Sequence, residues 1–255
     1  MYDPAKIQLR PNVHASDADK ARKNLAGYYA HCTAIDQCVG NLRKTLRDAG
    51  IEDNTIFLFT SDHGDMLQSN GHVKKQKPWD ESIRVPMLWR FPAGLSDGAK
   101  QVDALISSED VMPTLLGLAG VEVPKGVTGL DYSNYLRGGE NPDPGNAALI
   151  SCVHPFGEYD RASGGREYRG IRTTRYTYAR DLDGPWLLYD NKIDPYQQTN
   201  LIDDAGSSEL RQTLDKQLVA KLKTAGDTFQ PGAFYLDKWG YADRVDKTGT
   251  LPIAP

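Results

Sequence analysis

The chain has 255 residues, 39% apolar and 25% charged, with 34 acidic against 30 basic side chains and a net charge of −4. That is enough apolar material for one large α/β domain or a domain with a smaller appendage. The acidic balance argues against a nucleic-acid footprint, because the cationic cluster Lys74, Lys75 and Lys77 is only local, and no apolar run approaches membrane-spanning length.

In chain order, Ser16 with Asp19 predicts a helix start. Apolar Leu25, Tyr28, Cys32, Ile35, Val39, Leu42 and Leu46 then step by three and four up to Gly50, which predicts one long amphipathic helix. Asp53-Asn54 turns the chain into Ile56 to Phe59, where four consecutive apolar residues predict a strand covered on both faces, as in a parallel sheet. Asp62, His63 and Asp65 follow at its carboxyl end, the place where such sheets bind ligands, and Gly64 lets the chain turn there. Met87 to Phe91 predicts a second strand after Pro86, and Gln101 to Ile106 a third, shorter one. Ser107 and Asp110 cap a helix through Leu115 to Ala119 that stops at Gly120.

From Leu149 the texture changes. Leu149 to Val153, Glu167 to Thr173, Arg175 to Arg180 and Trp186 to Tyr189 predict an antiparallel subdomain, with Asp183-Gly184-Pro185 as punctuation. A helix over Ser208 to Lys223 and an irregular, aromatic, packed tail from Phe229 close the chain. The expected fold class is α/β: a partial parallel or mixed sheet with covering helices over 1–148, and a smaller antiparallel subdomain over 149–255. Two or three doubly covered strands are fewer than the five or six, roughly, of an average sheet, so part of the sheet is expected to belong to a stretch of chain that is absent. An exposed sheet edge is then expected to promote association. The three cysteines form no closed disulfide set, and Cys32 and Cys38 would lie roughly 9 Å apart on one helix, so free, buried thiols are expected. Met1 to Lys6 holds no apolar signal region, which leaves the compartment open.

Ser61-Asp62-His63-Gly64-Asp65-Met66-Leu67, Asn70-Gly71 and Lys75-Gln76-Lys77-Pro78-Trp79-Asp80-Glu81-Ser82-Ile83-Arg84-Val85-Pro86 closely resemble the C-terminal half of the sulfatase family, within the alkaline phosphatase superfamily. Tyr29 to Gly50, Met112 to Gly120, Tyr168 to Thr173 and Leu188 to Leu201 resemble further family segments in family order. The resemblance implies an alkaline phosphatase-like fold and a sulfuric ester hydrolase. It implies that Asp62 and His63 help to hold a divalent cation, calcium first and magnesium or manganese next, and that Lys75 contacts the sulfate and leaving-group oxygen. The chemistry agrees, since hard cations prefer carboxylate oxygen and an ammonium stabilises charge on a departing oxygen. Asp65 reads as a loop or supporting residue, Lys74 and Lys77 as surface or rim, and Glu81, Arg84, Arg169 and Arg172 as structural ion pairs. His72 and His154 read as surface or satisfied structural residues, and Asn70 stands where many relatives have a histidine.

The family's Cys or Ser-x-Pro-x-Arg motif, whose first residue becomes formylglycine, occurs nowhere in these 255 residues. The expectation is a sulfatase-like chain whose N-terminal half, with the formylglycine, is missing; for a full-length protein a periplasmic or secreted location fits. Three readings follow: a metal-dependent sulfatase, incomplete and inactive as the isolated chain, acting on an anionic sulfate ester; a phosphate mono- or diester or phosphonate hydrolase of the same superfamily; and a non-catalytic remnant or binding module. Neither nucleic acid nor a membrane is an expected partner.

Overall fold

The computed structural model describes residues 1–95 and 98–251. In chain order the regular elements are α1 (Ala18–Asp48), β1 (Phe57–Thr60), α2 (Asp80–Ile83), β2 (Met87–Arg90), α3 (Val111–Ala119), α4 (Ser133–Leu136), β3 (Ala147–Cys152), β4 (Tyr168–Thr173), β5 (Tyr176–Asp181), β6 (Pro185–Asp190), α5 (Ser208–Ala225) and α6 (Gly232–Lys238). They divide into two units. One comprises Met1–Asp62, Leu67–His72 and Val85–Asn146; the other comprises His63–Met66, Val73–Arg84 and the chain from Ala147 onward.

In the first unit α1 runs 31 residues, as the three-and-four spacing predicts. It begins at Ala18, two residues beyond the expected Ser16 cap, because a 3₁₀ turn over Ala15–Asp17 precedes it. Only Ala21 and Ala26 are buried on it, while Ile35 and Leu42 are 48% and 58% exposed. Cys32 and Cys38 share this exposure, so they are free thiols but not buried ones. Beyond the helix, Glu52 accepts from Arg43 Nε at 3.0 Å and Arg47 at 3.3 Å and lies 3.7 Å from Arg90. Burial pushes the Glu52 carboxyl up, but these three guanidinium groups together hold it below the usual carboxylate range.

β1 and β2 pair antiparallel, Phe57 with Arg90 and Thr60 with Met87, where the apolar run suggested a parallel neighbour. An apolar run reports burial and says nothing of the direction of its partner. The burial is itself partial: Phe57, Leu58 and Phe59 are half-buried and Leu88 is 64% exposed. Gln101 to Ile106 joins no ladder; Leu105 N donates instead to the Asn146 side chain at 3.1 Å. The cap of the next helix is present as predicted. Ser107 and Asp110 form a reciprocal capping box on a 3₁₀ turn leading into α3, which ends at Gly120 with φ +72°.

In the second unit β3-β4-β5-β6 form an antiparallel meander in that order. One face packs Ile171, Tyr178 and Leu188 against Leu214, Leu218 and Leu222 of α5. The other packs Tyr168, Ala179, Leu187 and Tyr189 against Met66 and Trp79. Trp79 Nε1 donates to Tyr189 Oη at 3.3 Å, and Arg172 grips Asp80 through two bonds of 2.8 and 2.9 Å. Arg169, fully buried, pairs with Asp227 and donates to Tyr235 Oη at 3.2 Å. Arg84 lies 3.3 Å from Asp80. The tail expected to be irregular contains α6, which buries Tyr235. The α/β class with an antiparallel C-terminal subdomain therefore stands, and the parallel pairing inside it is the point corrected.

Candidate active site

The Asp-His-Gly sequence leaves β1 for a structural reason that goes beyond turn chemistry. Gly64 N donates to Ser82 O at 2.9 Å, and a Cβ on Gly64 would lie 1.9 Å from Glu81 O, so only glycine permits this approach. Asp62 is exposed and accepts from Ser61 Oγ at 3.3 Å. His63 is half-buried, with Nδ1 2.7 Å from Gly64 O. A carbonyl can only accept, so Nδ1 is the donor in this contact, and a backbone carbonyl holding one ring nitrogen is the arrangement common to metal-ligating histidines. Carboxylate oxygen and imidazole nitrogen are donor types that suit a divalent cation. Among the described residues no group of three or more His, Cys, Asp or Glu side chains is placed to hold a metal ion.

Residues 65–77 form an irregular loop in which Leu67, Gln68, Asn70, Lys74 and Gln76 all have positive φ. Such conformations are costly for residues with side chains and persist where the surroundings overdetermine them. Asp65 supports the loop by accepting Lys74 N at 3.0 Å, and Met66 N donates to Lys74 O at 2.9 Å. Gln76 exchanges bonds with the Phe156 backbone at 2.8 and 3.2 Å.

The structure separates the three lysines. Lys74 is exposed. Lys75 is half-buried, and its amine has neither a hydrogen bond nor an ion pair among the described residues. Lys77, expected on the surface or rim, is 2% exposed. Its Nζ donates to Val73 O at 3.0 Å and Lys75 O at 2.9 Å and stands 4.5 Å above the Tyr159 ring. Burial draws the amine's pKa down, while Glu158 and Asp65 pull it back up. A lysine can be buried here because its donors meet two carbonyls and a π face. The sequence signal was the Pro78-Trp79 pair that follows it, an apolar anchor easily missed beside three cationic residues.

Asn70 N donates to Asn12 O at 2.8 Å, and its buried side-chain Nδ2 has no partner. His72 takes part in the turn around Gln68, whose N donates to His72 O at 2.8 Å. His154 is half-buried with both ring nitrogens buried and without a hydrogen bond; burial, with Arg161, lowers its pKa against the opposing pull of Glu167. Cys152 is an inert thiol pushed up to about 12 by burial, with Glu167 adding to the shift.

The chain matches the profile of the sulfatase family over residues 4–121 and that of the N-sulphoglucosamine sulphohydrolase C-terminal region over residues 69–224. It is similar to the ulvan-active sulfatase of Formosa agariphila, with 42% identity over 246 residues that make up 94% of this chain and 47% of that protein. Among solved structures it is similar to a 2-O GAG sulfatase, with a TM-score of 0.73 and 28% identity over 82% of this chain and 45% of that one. It is also similar to the phosphonate monoester hydrolase of Agrobacterium radiobacter, with a TM-score of 0.72 and 28% identity over 82% and 44% of the two chains. The chain thus spans about half the length of the relatives it matches.

Proposed function

The chain belongs to the sulfatase family, and we propose that it carries part of the centre of a metal-dependent sulfuric ester hydrolase, with Lys75 on the anionic group and Asp62 and His63 as ligands of a divalent cation, calcium first. The observation that carries this reading is the Lys75 amine, half-buried and without an internal partner among the described residues, beside a Lys77 whose ammonium is engaged with the Val73 and Lys75 carbonyls. An ammonium without an internal partner is suited to an external anion. Cleaving a sulfate ester concentrates negative charge on the departing oxygen, so a cation there gains more in the transition state than in the ground state. Bound at Asp62 and His63, a hard cation would add further positive charge against the sulfate oxygens. The division into 1–148 and 149–255 belongs to the same proposal, as does association through the exposed β1–β2 sheet edge.

The substrate class is an anionic sulfate ester, and the naming of one relative for ulvan and another for a GAG points to a sulfated polysaccharide. The 255 residues hold no Cys or Ser-x-Pro-x-Arg segment. Covalent catalysis needs its nucleophile, so as an isolated chain the protein is incomplete and inactive on an aryl sulfate. The test is titration of the chain with inorganic sulfate followed by NMR. Sulfate should perturb residues 73–77, and Lys75→Ala should weaken that response about tenfold, the loss expected of one charge-assisted contact. An unchanged response in Lys75→Ala overturns the assignment. The likeness to a phosphonate monoester hydrolase favours a second reading, hydrolysis of phosphate esters or phosphonates, since the same cation and lysine serve either tetrahedral anion. Phenylphosphonate binding ahead of sulfate in the same titration would select it.

A further inference from the structure

We propose that Lys77 is a positioning residue for Lys75: its buried ammonium ties the backbone on both sides of Lys74 and fixes the peptide from which the Lys75 side chain springs. This rests on the reading of Lys75 as the anion-binding cation. One of the two carbonyls that Lys77 Nζ holds belongs to Lys75 itself, at 2.9 Å, and the other to Val73, at 3.0 Å. The residues flanking Lys75 are Lys74 and Gln76, with φ of +57° and +70°. A left-handed pair around one residue is disfavoured and needs to be held from outside. Lys77 supplies that hold from below, and is itself fixed by the Tyr159 ring and by its own N–H, which donates to Ser82 Oγ at 3.3 Å. The arrangement also keeps the two cations in separate roles. Lys77 has its donors engaged inside the protein, so it leaves Lys75 as the amine open to an incoming anion.

Lys77→Met keeps an unbranched side chain one atom shorter and removes its donors, stranding two inward carbonyls. In the full 255-residue chain, amide hydrogen exchange at residues 74–77 should accelerate about tenfold or more, while the amides of β4 to β6 keep their protection. Inorganic sulfate should bind about fivefold more weakly, and Lys77→Met combined with Lys75→Ala should be no weaker than Lys75→Ala alone, because one residue acts through the other. Unchanged exchange at 74–77 overturns the proposal, and so does a double variant whose losses simply add. If exchange accelerates but Lys75→Ala leaves the sulfate response intact, the positioning role stands and the assignment of Lys75 to the anion falls. Should Lys77→Met fail to fold, Tyr159→Leu removes the ring and leaves both carbonyl bonds. It should accelerate exchange at 74–77 about threefold, and no acceleration overturns the proposal.

Discussion

The two sheets of this chain are built on opposite terms. The meander β3–β6 is closed on both faces, by the leucines of α5 on one and by Met66 and Trp79 on the other, and its buried arginines are bonded to carboxylates, carbonyls and a tyrosine hydroxyl. The ribbon β1–β2 has two strands, leaves Leu88 largely open, and follows a helix whose apolar stripe faces solvent. The ribbon was read from continuous apolar runs and the meander largely from alternation between turn residues. The difference shows that periodicity measures a face's need for cover, whereas cover itself depends on which segments reach that face.

The sharpest way to break this comparison is to remove one arginine from each sheet. Arg172→Ala would leave Asp80, which it grips through two bonds, mostly buried with only the exposed Arg84 at 3.3 Å as partner, and the expected loss is about 2–3 kcal/mol in urea unfolding. Arg90→Ala in β2 breaks longer pairs of 3.7 and 3.8 Å on a more exposed side chain, and about 1 kcal/mol or less is expected. Equal losses would mean that the two sheets are held alike. A leucine pair sharpens the same contrast. Leu218→Ala opens a cavity beneath α5 and should cost about 2–5 kcal/mol, whereas Leu42→Ala on α1 should stay within about 0.5 kcal/mol. Sedimentation of Leu42→Ala tests the open stripe separately: if that stripe drives association, the variant should be more monomeric than the parent, and an unchanged distribution would show that α1 takes no part.

Local rules made α3 legible in full, since Ser107, Asp110 and Gly120 specify its ends whatever packs against it. The four strands of the meander were legible from local signals too: Glu167 to Thr173 and Arg175 to Arg180 alternate, and Asp183-Gly184-Pro185 marks the turn before Trp186 to Tyr189. The direction of the β1–β2 pair was not, because it is set by how residues 61–86 return, and no residue within either strand records that. The segment around Asp62, His63 and Lys75 was singled out by its family pattern as the candidate site, and its family membership is what the comparisons bear out. The internal use of Lys77 escaped, because a lysine's burial is decided by distant partners: Tyr159 lies 82 positions further along the chain.

His154 offers the smallest effect and the most specific one. Its ring lies where a Cβ on Gly232 would come within 2.5 Å of Nδ1 and one on Gly249 within 2.3 Å of Nε2, so the site is tight and has no acceptor for a second ring proton. Glu167 is the carboxylate that would favour the charged ring, but its Oε1 already accepts Gly232 N at 2.6 Å and it is paired with Arg161, which opposes the charge. The folded-state pKa is therefore depressed below the unfolded value of about 6.5, and the unfolded chain takes up the proton first. A histidine depressed in this way contributes stability above that value and loses it as the pH falls through it. Urea midpoints measured from pH 7.5 down to 5 should decline for the parent, and His154→Leu should remove part of that decline without a comparable change at pH 7.5. A slope unaltered by the substitution would place the pH dependence on other groups and make His154 a ring accommodated equally well in either charge state.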